Sequence, residues 1–249
     1  FVDFAVQVIG GVTVPMYPTI TIEDYDYIFK DAEVKYVFCE NEELFLKVKE
    51  AAKGNKKIKG IYTFDPVAEV EMWTAVKELG EGKDPAVLQP LMDAVQANDL
   101  LTLIYTSGTT GRPKGVMLTH HNIVSNIKAL IRGKFFDLYA SDRALSFLPL
   151  CHIYERTDVY MYLYYGVSVY YAESMETIAD NIKEVKPAMF ATVPRLLEKV
   201  YDKILAKGNE LTGIKRKLFF GAIEFGLQYD PMVPLGFMDS IKLAVYRKL

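Results

Sequence analysis

The chain has 249 residues, 51% hydrophobic and 24% charged, which is enough for one large or two small domains with a substantial core. Its 29 basic and 32 acidic residues leave a formal charge of −3, without the basic excess that a nucleic-acid binder carries. Cys39 and Cys151 are too few and too far apart for a disulfide framework or a zinc site. They are read as reduced, packed thiols of a cytoplasmic protein.

The opening FVDFAVQVIGG has no initiator Met, and its apolar run is broken by Asp3, Gln7, Gly10 and Gly11. It lacks the basic start of a signal peptide and the length of a spanning helix. It reads as an amphipathic helix within a longer protein. VKYVFCE (34–40) is a strand candidate, ENEELFLKVKEAAKG a helix and IKGIYTF (58–64) a second strand, followed by a polar stretch at about 65–98. KEAAKGNKKIKG (49–60) is a solvated helix end and turn rather than a polyanion site. LLTLIYT (100–106) is apolar on both parities, as a strand covered on both faces should be.

HHNIVSNIKALIRG then places Ile123, Ile127, Leu130 and Ile131 on one helical stripe, with Gly133 as the stop. DRALSFLPL, VSVYYA and AMFATV are further strand candidates. In PRLLEKVYDKILAKG (194–208), Pro194 suits the first helical turn and Gly208 the end. Leu196, Leu197, Val200, Tyr201, Ile204 and Leu205 are its expected buried face. This alternation predicts an α/β fold with parallel-rich sheets sandwiched by helices.

YTSGTTGRPKGV, Tyr105 to Val116, carries the most chemistry. The six residues Thr106, Ser107, Gly108, Thr109, Thr110 and Gly111 are each a glycine or a hydroxyl bearer, and Lys114 follows. Glycines let backbone amides approach a ligand, hydroxyls and amides wrap phosphate oxygens, and the lysine adds a point charge. The spacing is not that of a Walker loop, and Gly115 to Leu118 look extended, so a helix dipole is not the main anion holder. A plain Gly/Thr hairpin between two strands is the bland alternative.

This stretch resembles the signature loop of the adenylate-forming superfamily, which includes acyl-CoA synthetases, luciferases and adenylation domains of peptide synthetases. The resemblance runs from VPMYPT (14–19) to beyond PRLLEKV. It implies that residues 1–249 are part of the large N-terminal, AMP-binding domain, with the C-terminal domain that bears the adenylating lysine outside them. It further implies that Thr106 to Lys114 hold the triphosphate of ATP and that the Thr106 hydroxyl assists Mg²⁺. KPAMFATVPRLLEKVYDKI (186–204) is similar to long-chain fatty acid–CoA ligases, implying fatty acid, ATP and coenzyme A as substrates.

LPLCHIYER (148–156) puts His152 after a strand and before an aromatic helix. By itself such a histidine is more often packed or on the surface. The superfamily carries a histidine after L-P-L-x near its acyl and nucleotide pockets, which implies a catalytic role for His152. Glu155 and Arg156 are expected as a surface ion pair. Some bacterial members have a tryptophan gate to the acyl tunnel where Arg156 falls, so the gate stays unassigned. The tyrosines of YMYLYYGVSVYY (160–171) are expected mostly in the core. His120 and His121 are adjacent, face different ways and form no metal pair.

The Y-G-x-T-E stretch that holds adenine and the T-G-D stretch that contacts ribose are not found in these residues. The chain alone is therefore expected to be inactive. Competing readings are a medium-chain or aryl acid–CoA ligase and a noncatalytic nucleotide-binding module. Fatty acids partition into membranes, so loose peripheral contact fits, although no basic amphipathic helix is present.

Overall fold

A computed structural model describes all residues except Thr109, Thr110, Lys134, Pro231 and 247–249. The chain divides into two compact units, Phe1–Ala191 and Thr192–Leu249. In the first, α1 (Val2–Val8), α2 (Ile22–Asp31), β1 (Tyr36–Cys39), α3 (Glu42–Ala51) and β2 (Gly60–Thr63) come before the polar stretch. That stretch holds two short helices, α4 (Trp73–Glu78) and α5 (Gln89–Ala94). Then follow β3 (Leu100–Thr106), β4 (Lys114–Thr119), α6 (His120–Arg132), β5 (Arg143–Ser146), α7 (Ile153–Tyr165), β6 (Ser168–Tyr171) and α8 (Ile178–Val185). The second unit holds α9 (Pro194–Glu210), α10 (Gly213–Gln228) and α11 (Phe237–Tyr246).

Helix starts follow from side chains that take up otherwise orphaned backbone donors. Thr21 accepts the Asp24 N–H at 3.1 Å to open α2, and Asn41 accepts the Leu44 N–H at 3.0 Å to open α3. Thr119 and Asn122 form a reciprocal capping box at α6. Gly166, at φ 73°, ends α7 in the left-handed region that a Cβ disfavours.

Among the described residues the strands form three two-stranded sheets. The pairs β1–β2 and β5–β6 are parallel, as the α/β pattern predicts, but β3–β4 is an antiparallel hairpin. The continuous apolar run of β3 arises because Leu101, Thr102 and Ile104 are buried, while the residue at Thr13 adds a single parallel bridge at Thr102. AMFATV does not become a strand. It makes one bridge, Met189 to Ala144, with two backbone bonds to β5, before Pro194 starts a helix. Two cores support the first unit. One gathers Tyr25, Phe29, Val37, Cys39 and Val48, and the other gathers Leu101, Ile123, Ile127, Ala144, Met161 and Tyr162.

Three expectations about side chains need correction. The stripe of α9 is largely open, with Leu197, Val200, Tyr201 and Ile204 all exposed. Gly208 does not end α9, which continues to Glu210; instead it is buried where the Phe219 ring of α10 leaves no room for a Cβ. Glu155 and Arg156 are not a surface pair. They are 1% and 3% exposed, and the partner of Arg156 is Asp3.

Because α7 buries Glu155, Arg156 and Asp158 beside Val159, Met161 and Tyr162, it shows little amphipathic pattern. Burial raises the Glu155 carboxyl, opposed by the Ser146 side chain and the Phe147 backbone. Burial first, and then Glu155, push Asp158 up to about 7. Asp158 therefore holds a proton in the folded chain between about pH 4 and 7, where the unfolded chain has lost it, so stability falls as pH rises through that window. Thermal melting should show Tm falling from pH 5 to pH 8, and Asp158→Asn should flatten that slope. Each kcal/mol recovered at pH 8 corresponds to about 2–4 °C. A wild-type Tm that climbs across the range would contradict the assignment.

Candidate nucleotide site

The hairpin built by β3 and β4 holds the glycine-rich loop at its tip. Thr106 pairs with Lys114 and Tyr105 with Gly115, so the segment from Ser107 to Pro113 must turn between paired ends. The Gly111 N–H donates to the Gly108 carbonyl at 3.2 Å, and Gly111 has φ 87°, a conformation that favours glycine. A Cβ on Gly108 would lie 2.6 Å from the Arg112 carbonyl oxygen and 3.3 Å from Lys114 Cγ, so the turn closes over a hydrogen. Thr109 and Thr110, also expected to hold phosphate, lie outside the described residues. Thr106, Ser107, Gly111 and Lys114 are exposed, and Lys114 forms no ion pair among the described residues. Its charge is available to an anion.

Two contacts that were not anticipated from sequence fasten the loop to α2. The Tyr105 hydroxyl donates to Asp31 at 2.6 Å, and the Arg112 guanidinium lies over the Tyr27 ring at 5.6 Å. Burial, and then the Asp31 bond, push the Tyr105 phenol well above its ordinary range. Its proton stays in place at any working pH.

His152 is the N-cap of α7 and is exposed. Its Nδ1 accepts the Tyr154 N–H at 3.3 Å. In the neutral ring this assigns the proton to Nε2, which then faces outward as a donor. A donor at a helix start suits a carboxylate or phosphate oxygen. No hydrogen bond or ion pair joins His152 to the loop among the described residues. The link runs through Arg156, whose backbone N–H donates to the His152 carbonyl at 3.2 Å and whose side chain donates to Thr102 at 2.7 Å on the strand leading to the loop.

Other groups fall away. Both cysteines are free, and burial raises both thiols, Cys39 to about 11, so neither is a ready nucleophile. A cleft of about 300 Å³ opens between α1, α6 and α7, lined by Phe4, Leu101, Ile123, Ile127 and Leu163. Neither His152 nor any loop residue lines it. Among the described residues no cluster of three His, Cys, Asp or Glu could hold a metal. His120 and His121 open α6.

The sequence matches the AMP-binding enzyme family over residues 1–225. The chain belongs to that family. It is 31% identical over 232 residues to long chain acyl-CoA synthetase 3 of Arabidopsis thaliana, covering 87% of this chain and 34% of the relative. It is 32% identical over 255 residues to long-chain-fatty-acid–CoA ligase FadD15 of Mycobacterium tuberculosis, covering 99% of this chain and 42% of the relative. Human ligase ACSBG2 is 30% identical over 237 residues, covering 91% and 35%. The chain thus spans well under half the length of these relatives. Among solved structures it resembles the Mycobacterium tuberculosis fatty acyl CoA synthetase, with TM-score 0.62 and 21% identity over 79% of this chain and 37% of that one. It also resembles ATP-bound MatB from Rhodopseudomonas palustris, with TM-score 0.59 and 24% identity over 79% and 37%. At these identities the likeness establishes the adenylate-forming fold.

The hairpin geometry yields a direct test. Gly108→Ala sets a methyl group against a backbone carbonyl, so the loop must shift. Affinity for Mg·ATP by calorimetry should fall about tenfold or more, since ~1.4 kcal/mol of displacement is enough. Tm should stay near wild type because the turn is at the surface. Unchanged affinity would mean that the loop amides do not meet the nucleotide.

Proposed function

We propose that the protein containing these residues activates a long-chain fatty acid with ATP and transfers the acyl group to coenzyme A. The carboxylate attacks the α-phosphorus, giving acyl-adenylate and pyrophosphate; the CoA thiol then attacks the acyl carbon and AMP leaves. Residues 1–249 serve as part of the large N-terminal domain, and the lysine-bearing C-terminal domain lies outside them. The observation that carries this reading is the Thr106–Lys114 loop, with its unpaired lysine, on a hairpin fastened to α2. The names of the relatives and the similarity at 186–204 support a long-chain acid.

Charge builds on phosphate oxygens during this reaction, and prearranged donors stabilise it more than a protein nucleophile could. The amides and hydroxyls of Thr106, Ser107, Gly108, Thr109, Thr110 and Gly111 hold the triphosphate, and Lys114 offsets its charge. Nε2–H of His152 orients the acyl carboxylate or an α-phosphate oxygen. The exposed Thr106 hydroxyl is a hard oxygen donor, which fits magnesium. When bound, magnesium neutralises phosphate charge. A cytoplasmic location with loose membrane contact through the substrate goes with this reading. No helix among the described residues is long and apolar enough to cross a membrane.

Pyrophosphate release by the full-length protein, measured with acids of eight to eighteen carbons, should be greatest for the long acids. A peak at short or aryl acids would replace the substrate while leaving the reaction standing. Lys114→Ala should weaken Mg·ATP binding roughly ten- to a hundredfold, the ~1.5–3 kcal/mol of a charged donor. Residues 1–249 alone should form no AMP from ATP and oleate.

A further inference from the structure

We propose that Arg156 is a positioning residue that sets His152 in register with the phosphate loop, with Asp3 of α1 as its counter-charge. This rests on the ligase reading above and assigns the work to residues outside the loop. Arg156 is 3% exposed, yet its guanidinium reaches four separate parts of the first unit. Nη1 donates to Thr102 Oγ1 at 2.7 Å on β3, and Nη2 donates to Thr13 Oγ1 at 2.6 Å and to Asp3 Oδ1. Nε donates to Tyr160 Oη at 2.9 Å, one turn further along α7. Tyr160 in turn donates to Asp3 Oδ2 and accepts from the Gln7 amide at 2.6 Å. Thr102 also donates to the Thr13 carbonyl at 2.7 Å, so the hydroxyl that accepts from Arg156 is itself fixed.

The same residue closes the first turn of α7, where its N–H meets the His152 carbonyl. Thr102 lies four residues before Thr106 on one strand. A chain of contacts therefore runs from the carbonyl of His152, through buried Arg156 and Thr102, along β3 to the start of the loop. A planar fork with five donors suits this, because the three donors of an ammonium cannot meet Thr102, Thr13, Asp3 and Tyr160 together. Lysine at 156 would keep the charge but lose the register. Misplacement of a reacting group by about 1 Å can cost on the order of a hundredfold in rate.

The test uses the full-length protein as wild type, His152→Ala, Arg156→Lys, Asp3→Asn and the Arg156→Lys/His152→Ala double variant. Arg156→Lys should lower kcat about tenfold or more while KM for ATP stays within about twofold. In the His152→Ala background the same change should have little further effect, because a residue acting through His152 has nothing left to position. Asp3→Asn should follow Arg156→Lys in direction. Full multiplication of the two single effects would overturn the proposal, as would a wild-type kcat in Arg156→Lys. A second readout does not depend on turnover. The imidazole signals of His152, assigned by their loss in His152→Ala, can be followed by NMR in the full-length protein. Arg156→Lys should move them, and unmoved signals would overturn the proposal even if the acid ligase activity itself were absent.

Discussion

A buried guanidinium is the interaction on which the first unit depends. Taking an arginine out of water costs several kcal/mol, and a counter-charge and hydrogen-bond partners offset that cost. Arg156 directs four of its five N–H donors to Asp3, Thr13, Thr102 and Tyr160, which come from α1, the segment after it, β3 and α7. Removing one member of such a set typically costs about 3–5 kcal/mol, because a charge is left buried without its partner. The set therefore fixes how these elements meet, which dispersion contacts between interchangeable apolar side chains do less sharply. The acidic residues beside it resolve burial differently. Glu155 and Asp158 face no cation among the described residues, and burial drives their carboxyls toward the protonated form.

The phosphate loop shows a complementary arrangement. Its base is rigid, with strand pairing down to Thr106 and Lys114, a phenol bonded to Asp31 and an arginine stacked on Tyr27. Beyond that base are glycines and hydroxyl-bearing residues, and Lys114 at the base forms no ion pair among the described residues. A fixed base with unoccupied donors holds a polyanion at little reorganisation cost. His152 belongs to the same logic, since its helix-capping bond orients the ring and turns Nε2 outward.

Much of this could be read from the sequence. The loop stood out because six consecutive small or hydroxyl-bearing residues followed by a lysine have few structural uses. The extended segment after it, the stripe of Ile123 and Ile127, and the strand–helix alternation all emerged as expected. Errors arose where local pattern and tertiary partner disagree. The α9 stripe has the period of a buried face but is largely exposed, and AMFATV has strand composition but only one bridging residue. Asp3, a single charge in an apolar stretch, was a usable signal for a buried partner.

Sequence alone determined the residue types of the loop, the starts of several helices and the family, because these depend on residue types at short spacing. Tertiary structure alone decided that Arg156 pairs with Asp3 across 153 positions, that Tyr105 reaches Asp31 and that His152 is linked to the loop through Thr102. Side-chain partners at long separation follow from how elements pack, and no local periodicity encodes which charge will find which.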